Sequence, residues 1–128
     1  MIYESGEMYL ETILILAQTH PEVHAVDIAA EMGISKASVS RALGRLKEEN
    51  CLIIDASGRI AFTEKGRSIA EKIYERHTVL SELLVSLGVN PETASEDACR
   101  IEHDISDETF RCIKEHRDKM STKNRTAE

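Results

Sequence analysis

Aromatic residues are scarce: there is no Trp, and three Tyr and two Phe serve 128 residues. That scarcity argues against an aromatic-rich sandwich or a carbohydrate platform and favours a helical reading. Long apolar runs are also missing. The strongest one near the N-terminus, Ile13 to Ala17, is far too short to span a bilayer or to form a signal-peptide core, and Glu4, Glu7 and Glu11 precede it. A cytoplasmic protein with no membrane partner is expected. Cys51, Cys99 and Cys112 are odd in number and form no CxxC, so free thiols are expected rather than a disulfide framework. No nucleophile motif, phosphate-binding glycine loop, internal repeat or low-complexity linker is present. A hydrolase is therefore disfavoured, and no organic cofactor is implied.

What is there is a chain of one ordinary domain or two small helical ones. The formal net charge of −7 would normally count against nucleic acid as a partner. Its distribution argues the other way. Residues 35–47 carry Lys36, Arg41, Arg45 and Lys47 with no acid, while Gly66 to Met120 is mixed in sign and net acidic.

The first helix is expected from about Gly6 to Thr19, stopping before Pro21, because a residue preceding proline is pushed out of the helical region. At 100° per residue Leu10, Ile13, Leu14 and Ala17 make one stripe, with Met8 and Ile15 opposite and Glu11 beside them. A short helix from Asp27 to Met32 ends at Gly33, and Ser35 caps a longer one reaching about Glu49. This is helix-turn-helix spacing. Cys51 to Ile54 and Arg59 to Thr63 read as two strands around a turn at Gly58, a β wing. A long helix follows from Glu64 to about Leu87, with Ile69, Ile73, Leu80, Leu84 and Leu87 on one stripe and His77 at its edge. Asn90 and Pro91 open a helix to about Ile105, Ser106 caps a last one to about Met120, and a polar, frayed tail is expected beyond. The fold class is mainly α. Residues 1–65 are expected to form a winged helix-turn-helix unit, 66–120 a second helical unit, and 121–128 a flexible tail.

In the helix opened by Ser35, burial of Val39, Leu43 and Leu46 turns Ala37, Arg41, Gly44 and Glu48 outward, with Ser40 and Arg45 flanking. Small side chains let a helix sit deep in a major groove, Arg reaches guanine edges or phosphates, and Lys36 and Ser38 lie at the end that meets bases. Arg59 sits at the wing tip. The DNA-binding set is Ser35, Lys36, Ala37, Ser38, Ser40, Arg41, Arg45 and Arg59, and the partner double-stranded operator DNA. A solvated charged helix, or a winged-helix adaptor with no salt-dependent DNA affinity, are the alternatives.

Cys99, Glu102 and His103 stand at i, i+3 and i+4, so their side chains leave one side of a helix. A thiolate, a carboxylate and an imidazole suit a borderline transition ion better than Mg2+ or Ca2+. One helix cannot close the sphere. A half-buried Cys beside a solvated Glu-His pair, a core-packed Met8 and a satisfied core His77 are the bland alternatives. So is a thiol sensor using Cys99 or Cys112.

At these residues the sequence resembles the diphtheria toxin repressor and manganese transport regulator family of metal-dependent repressors. The likeness rests on Gly6-Glu7-Met8-Tyr9-Leu10-Glu11, Val26-Asp27-Ile28-Ala29, Ser38-Val39-Ser40 and Phe62-Thr63-Glu64-Lys65-Gly66. It continues in Arg76-His77, Glu96 to His103 and Ile105-Ser106-Asp107-Glu108. The resemblance implies a regulatory metal held by Met8, Cys99, Glu102 and His103, with Met8 supplied by the first helix. Glu11 and His77 match ligands of a two-metal cluster in the manganese branch. Iron sensors of the family present the Met and Cys pair, and sulfur donors favour Fe2+ over Mn2+. An Fe2+-responsive repressor of metal-uptake genes is expected, with Mn2+ as the alternative. Ser81 and Ser95 replace residues of the iron branch's ancillary site, Leu80 replaces a manganese-branch Glu, and the length is that of the two-domain manganese regulators. A homodimer is expected, with Phe110 and Ile113 as interface candidates.

Overall fold

The computed structural model describes residues 4–126, with side chains for 5–120. Six helices and one hairpin follow in the order α1 (Glu4–Ala17), α2 (Ala25–Met32), α3 (Lys36–Glu48), β1 (Leu52–Ile54), β2 (Ile60–Phe62), α4 (Glu64–Ser86), α5 (Pro91–Ile101) and α6 (Asp107–Thr126). The chain divides into two compact units, Met1–Lys72 and Ile73–Glu128, the division falling inside α4.

The first unit is built on one apolar core. Leu10, Ile13 and Leu16 of α1, Ile28 of α2, Val39, Leu43 and Leu46 of α3, and Cys51, Leu52 and Ile60 of the hairpin are all buried in it. The stripe on α1 is rotated from the expected one: Leu16 is buried and Ala17 exposed. The cause is that α1 packs on both α2 and α3, which asks for a wider buried arc than one partner would. Helix α2 starts two residues early because Asp27, read as its first residue, occupies the third position and accepts the His24 backbone N–H at 2.8 Å. Gly33 then takes the left-handed conformation at φ 65° and its N–H returns to Ala29 O, a stop that an L side chain would strain.

Ser35 caps α3, accepting the Ser38 N–H at 3.1 Å. The hairpin pairs Leu52 with Phe62 and Ile54 with Ile60, antiparallel, around a turn in which Gly58 has φ 88°. Ile60 N–H also bonds Val23 O at 2.9 Å, tying the wing to the segment before α2. The wing's exit is pinned too. Thr63 Oγ1 donates to Asn50 O at 2.6 Å and accepts from Gly66 N–H at 3.1 Å. A Cβ on Gly66 would lie 1.9 Å from Cys51 O, so only glycine permits this approach of α4 to the hairpin.

In the second unit Ile73, Val79 and Leu80 of α4, Ala94 and Ala98 of α5 and Phe110 of α6 are buried. Asn90 caps α5 by accepting Glu92 N–H at 2.9 Å, with Pro91 in the first turn, and Ser106 accepts Thr109 N–H at 3.1 Å before α6. Three expectations change here. Leu87 is 71% exposed, because α4 ends at Ser86 and Gly88 turns the chain at φ 101°. Helix α5 ends at Ile101, four residues before the expected Ile105, leaving Glu102 as its C-cap. Helix α6 runs on to Thr126, past the expected end at Met120. Among the described residues, no helix is long and apolar enough to cross a membrane.

Candidate nucleic-acid interface and metal centre

Helix α3 presents the face that its apolar stripe dictates. Lys36, Ala37, Ser40, Arg41, Gly44 and Arg45 are exposed, whereas Ser38 is half-buried. Ser38 is engaged locally: its Oγ accepts from Ser35 Oγ at 2.9 Å and from Arg41 Nη2 at 3.4 Å. Arg41 is thereby drawn toward the N-terminal end of the helix. Gly44 faces open space, so nothing bulky separates this face from a groove. The exposed surface of the first three turns is cationic and hydroxylic, a pattern suited to phosphates and base edges.

At the wing tip, Asp55 shapes the turn. Its Oδ1 accepts from Ser57 N–H at 2.9 Å, Ser57 Oγ at 2.7 Å and Arg59 N–H at 3.0 Å. These bonds, the Ser57 hydroxyl first, hold the carboxyl below its usual range. Arg59 is left exposed beside Gly58. Cys51 at the wing's base is buried, and burial pushes its thiol up, which makes it a packing residue rather than a nucleophile.

The second unit gathers a different chemistry. Glu102 is fully buried, and both its carboxylate oxygens face imidazoles. Oε2 lies 2.9 Å from His77 Nδ1 on α4, and Oε1 lies 3.3 Å from Nε2 of the adjacent His103, whose side chain is also buried. On the far side of the His77 ring, Nε2 is 3.3 Å from Ser95 Oγ. Two ligands at ~2.1 Å from an octahedral ion stand ~3 Å apart, which is the separation found here. Glu102 Oε1 makes no hydrogen bond, although burying a carboxylate without charge-balancing partners is costly. A dication fits this donor set of one buried carboxylate and two imidazoles, which are ligands suited to a borderline transition ion.

The structure thus brings His77, Glu102 and His103 together. Cys99 is half-buried on α5, one turn before Glu102. Met8, half-buried, and Glu11, buried, belong to α1 in the first unit. The positions that depart from the resembled pattern are accounted for as well: Leu80 is core, Ser81 Oγ is buried, and Ser95 serves His77. Phe110 is only 8% exposed and lies under the Arg76 guanidinium, 5.4 Å from Cζ to ring centre. It is therefore already packed within its own unit, which leaves half-buried Ile113 as the interface candidate.

Sequence reading assigned no role to Arg76. It is 5% exposed and donates from Nη1 to Glu102 O at 3.0 Å and Ile105 O at 2.9 Å. Its one mark in the sequence is its place beside His77, in the Arg76-His77 pair of the resemblance. These bonds take up two carbonyls that the turn after α5 leaves without a helical partner.

Two family models match the chain. One describes the N-terminal DNA-binding domain of iron dependent repressors and matches residues 1–56. The other describes their metal-binding and dimerisation domain and matches residues 63–127. The chain belongs to the iron dependent repressor family. It is 34% identical over 102 residues to the transcriptional regulator MntR of Escherichia coli, covering 80% of this chain and 66% of that one. It is 31% identical over 122 residues to an HTH-type transcriptional regulator of Methanocaldococcus jannaschii, covering 94% and 98%. Among solved structures, a manganese-dependent transcriptional repressor in complex with manganese superposes with a TM-score of 0.74 at 27% identity, covering 84% of this chain and 50% of that one. The chain thus spans about two thirds of the Escherichia coli relative and half of that solved chain. Members of the family are transcriptional regulators and not enzymes.

Proposed function

We propose that the protein is a homodimeric, metal-dependent repressor that binds operator DNA through α3 and the wing. In this reading residues 1–65 bind DNA and 66–120 bind metal and dimerise. It acts in the cytoplasm on genes of metal-ion uptake. The observation that carries the reading is a buried carboxylate set between two imidazoles in the same chain as a Ser-capped cationic helix and a hairpin wing.

Glu102, His77 and His103 would hold the ion, joined by Cys99 and by Met8 and Glu11 of α1. Bound metal would supply positive charge at the buried Glu102 carboxylate. By linking α1 to the helices that carry the other ligands, occupancy favours one arrangement of the DNA-binding half, so metal and DNA strengthen each other's binding. Ser35, Lys36, Ala37, Ser38, Ser40, Arg41 and Arg45 would meet DNA in the major groove, with Arg59 on the backbone or in the minor groove.

The regulatory ion in this reading is Fe2+, because Met8 and Cys99 are sulfur donors and the general affinity order places Fe2+ above Mn2+. Mn2+ is the second reading. It is favoured by the nitrogen and oxygen donors that close on Glu102 and by relatives whose names specify manganese. Anaerobic fluorescence anisotropy with DNA from the protein's own promoter, at matched salt, tests both. Tightening by Fe2+ at a lower concentration than Mn2+ supports the first reading, and the reverse order supports the second. Affinity unchanged by either ion sinks metal dependence and leaves an oxidant titration of Cys99 and Cys112 as the next measurement.

A further inference from the structure

Two successive residues of α4 grip the same glutamate at its two ends. His77 meets the Glu102 carboxylate, and Arg76 holds the Glu102 carbonyl. The same guanidinium nitrogen also takes Ile105 O, so one arginine bridges both ends of the turn that joins α5 to α6. That turn carries Glu102 and His103. The guanidinium is fixed in turn by α6, where Asp107 pairs with Nη2 and the Phe110 ring lies against its face. We propose that Arg76 is a positioning residue of the metal centre, holding the Glu102–Ile105 turn in register and linking it to α6.

The charges are consistent with this role. A buried arginine near a cation site would repel the ion, but Asp107 neutralises this one, and its hydrogen bonds to the Glu102 residue go to the carbonyl rather than the carboxylate. The carboxylate is left facing the two imidazoles. Because Arg76 donates to two carbonyls and a carboxylate at once, its planar fork matters, and a lysine can replace only part of it. Groups that orient ligands without touching the ion change metal affinity by about 10- to 100-fold.

The proposal rests on the metal-binding reading above, and its test separates the two. Mn2+ binding is followed by electron paramagnetic resonance in the full-length protein and in Arg76→Gln, Arg76→Lys, Asp107→Asn and Arg117→Gln. In parallel, amide hydrogen exchange is measured on the metal-free proteins at Glu102 and Asp104, whose N–H groups bond Ala98 O and Ile101 O. Arg76→Gln should weaken Mn2+ binding by about 10- to 100-fold and speed exchange at both amides. Arg76→Lys should recover part of each loss, and Asp107→Asn should show a smaller loss. Arg117→Gln, which removes an exposed ion pair to Glu82, should change neither. Asp107 is exposed and its variant keeps the core intact, so it carries the test if Arg76→Gln does not fold. Mn2+ affinity within twofold of the unsubstituted protein in folded Arg76→Gln, or in Asp107→Asn where Arg76→Gln does not fold, or unchanged exchange there at Glu102 and Asp104, overturns the proposal. Failure of the unsubstituted protein to bind Mn2+ or Fe2+ overturns the reading on which it rests.

Discussion

The two units solve different problems with helices of similar kind. The first buries an apolar set contributed by three helices and a hairpin, and apart from the buried Glu11 its polar groups work mostly at the surface as caps and turns. The second has a thinner apolar core and places a glutamate and an arginine inside it. Apolar burial gives a rigid platform for presenting α3 and the wing, because close-packed interiors resist deformation. Buried charge does the reverse. It costs stability in the absence of a counterion and returns it when one binds, which is what a sensor requires.

This contrast predicts opposite responses to core substitutions in the two units. Leu43→Ala should destabilise the first unit by about 2–5 kcal/mol, measured by urea unfolding with amide exchange read along α3. A loss below ~1 kcal/mol would mean that the first unit is not held by its core. Glu102→Gln should leave the metal-free protein as stable as before or more so, since it removes a buried charge. The same change should weaken Mn2+ or Fe2+ binding by roughly 100-fold, about 2.7 kcal/mol, and abolish the metal-induced rise in Tm. Marked destabilisation of the metal-free protein would show that the carboxylate serves the fold instead.

Smaller effects sharpen the comparison at the surface of the first unit. Ser35→Ala should cost about 1 kcal/mol of stability by removing the α3 cap. DNA affinity should fall with it, because the frayed turn is the one that carries Lys36 and Ala37; intact affinity in anisotropy titrations would argue that this end of α3 does not meet DNA. The smallest effect concerns Asp55. Its carboxyl sits below the ordinary range in the folded protein, so its contribution is present above the unfolded pKa of about 4 and disappears as pH falls through the lower folded value. Asp55→Asn should thus be slightly less stable than the unsubstituted protein at neutral pH, and the difference should vanish in acid. A difference that persists at low pH would mean that the turn does not depend on the charge.

Much of the fold was legible because its punctuation is local. Gly33, Ser35, Asn90 with Pro91, and Ser106 each act within three or four residues of themselves, and each ends or opens a helix as its chemistry requires. Helix α2 was less legible, since its opening depends on Asp27 capping the His24 N–H rather than on a conventional cap residue. The metal-binding set was legible only in part. The i, i+3, i+4 spacing put Cys99, Glu102 and His103 on one side of a helix, but α5 stops at Ile101, and His103 lies in the turn beyond it.

The order of residues by itself determined the helix-turn-helix, the wing, the cationic face of α3 and the types of donor available to a metal. Those features depend on periodicity, capping and charge, which are properties of short stretches of chain. Tertiary structure decided what holds the turn after α5, how far the buried arc of α1 extends, and which imidazoles flank Glu102. Each of those outcomes turns on a partner distant in sequence, such as Arg76 reaching the carbonyls of Glu102 and Ile105 across 26 and 29 residues. A hydrogen bond reached from another helix, or a second helix that widens a buried arc, leaves no local trace until the chain has folded.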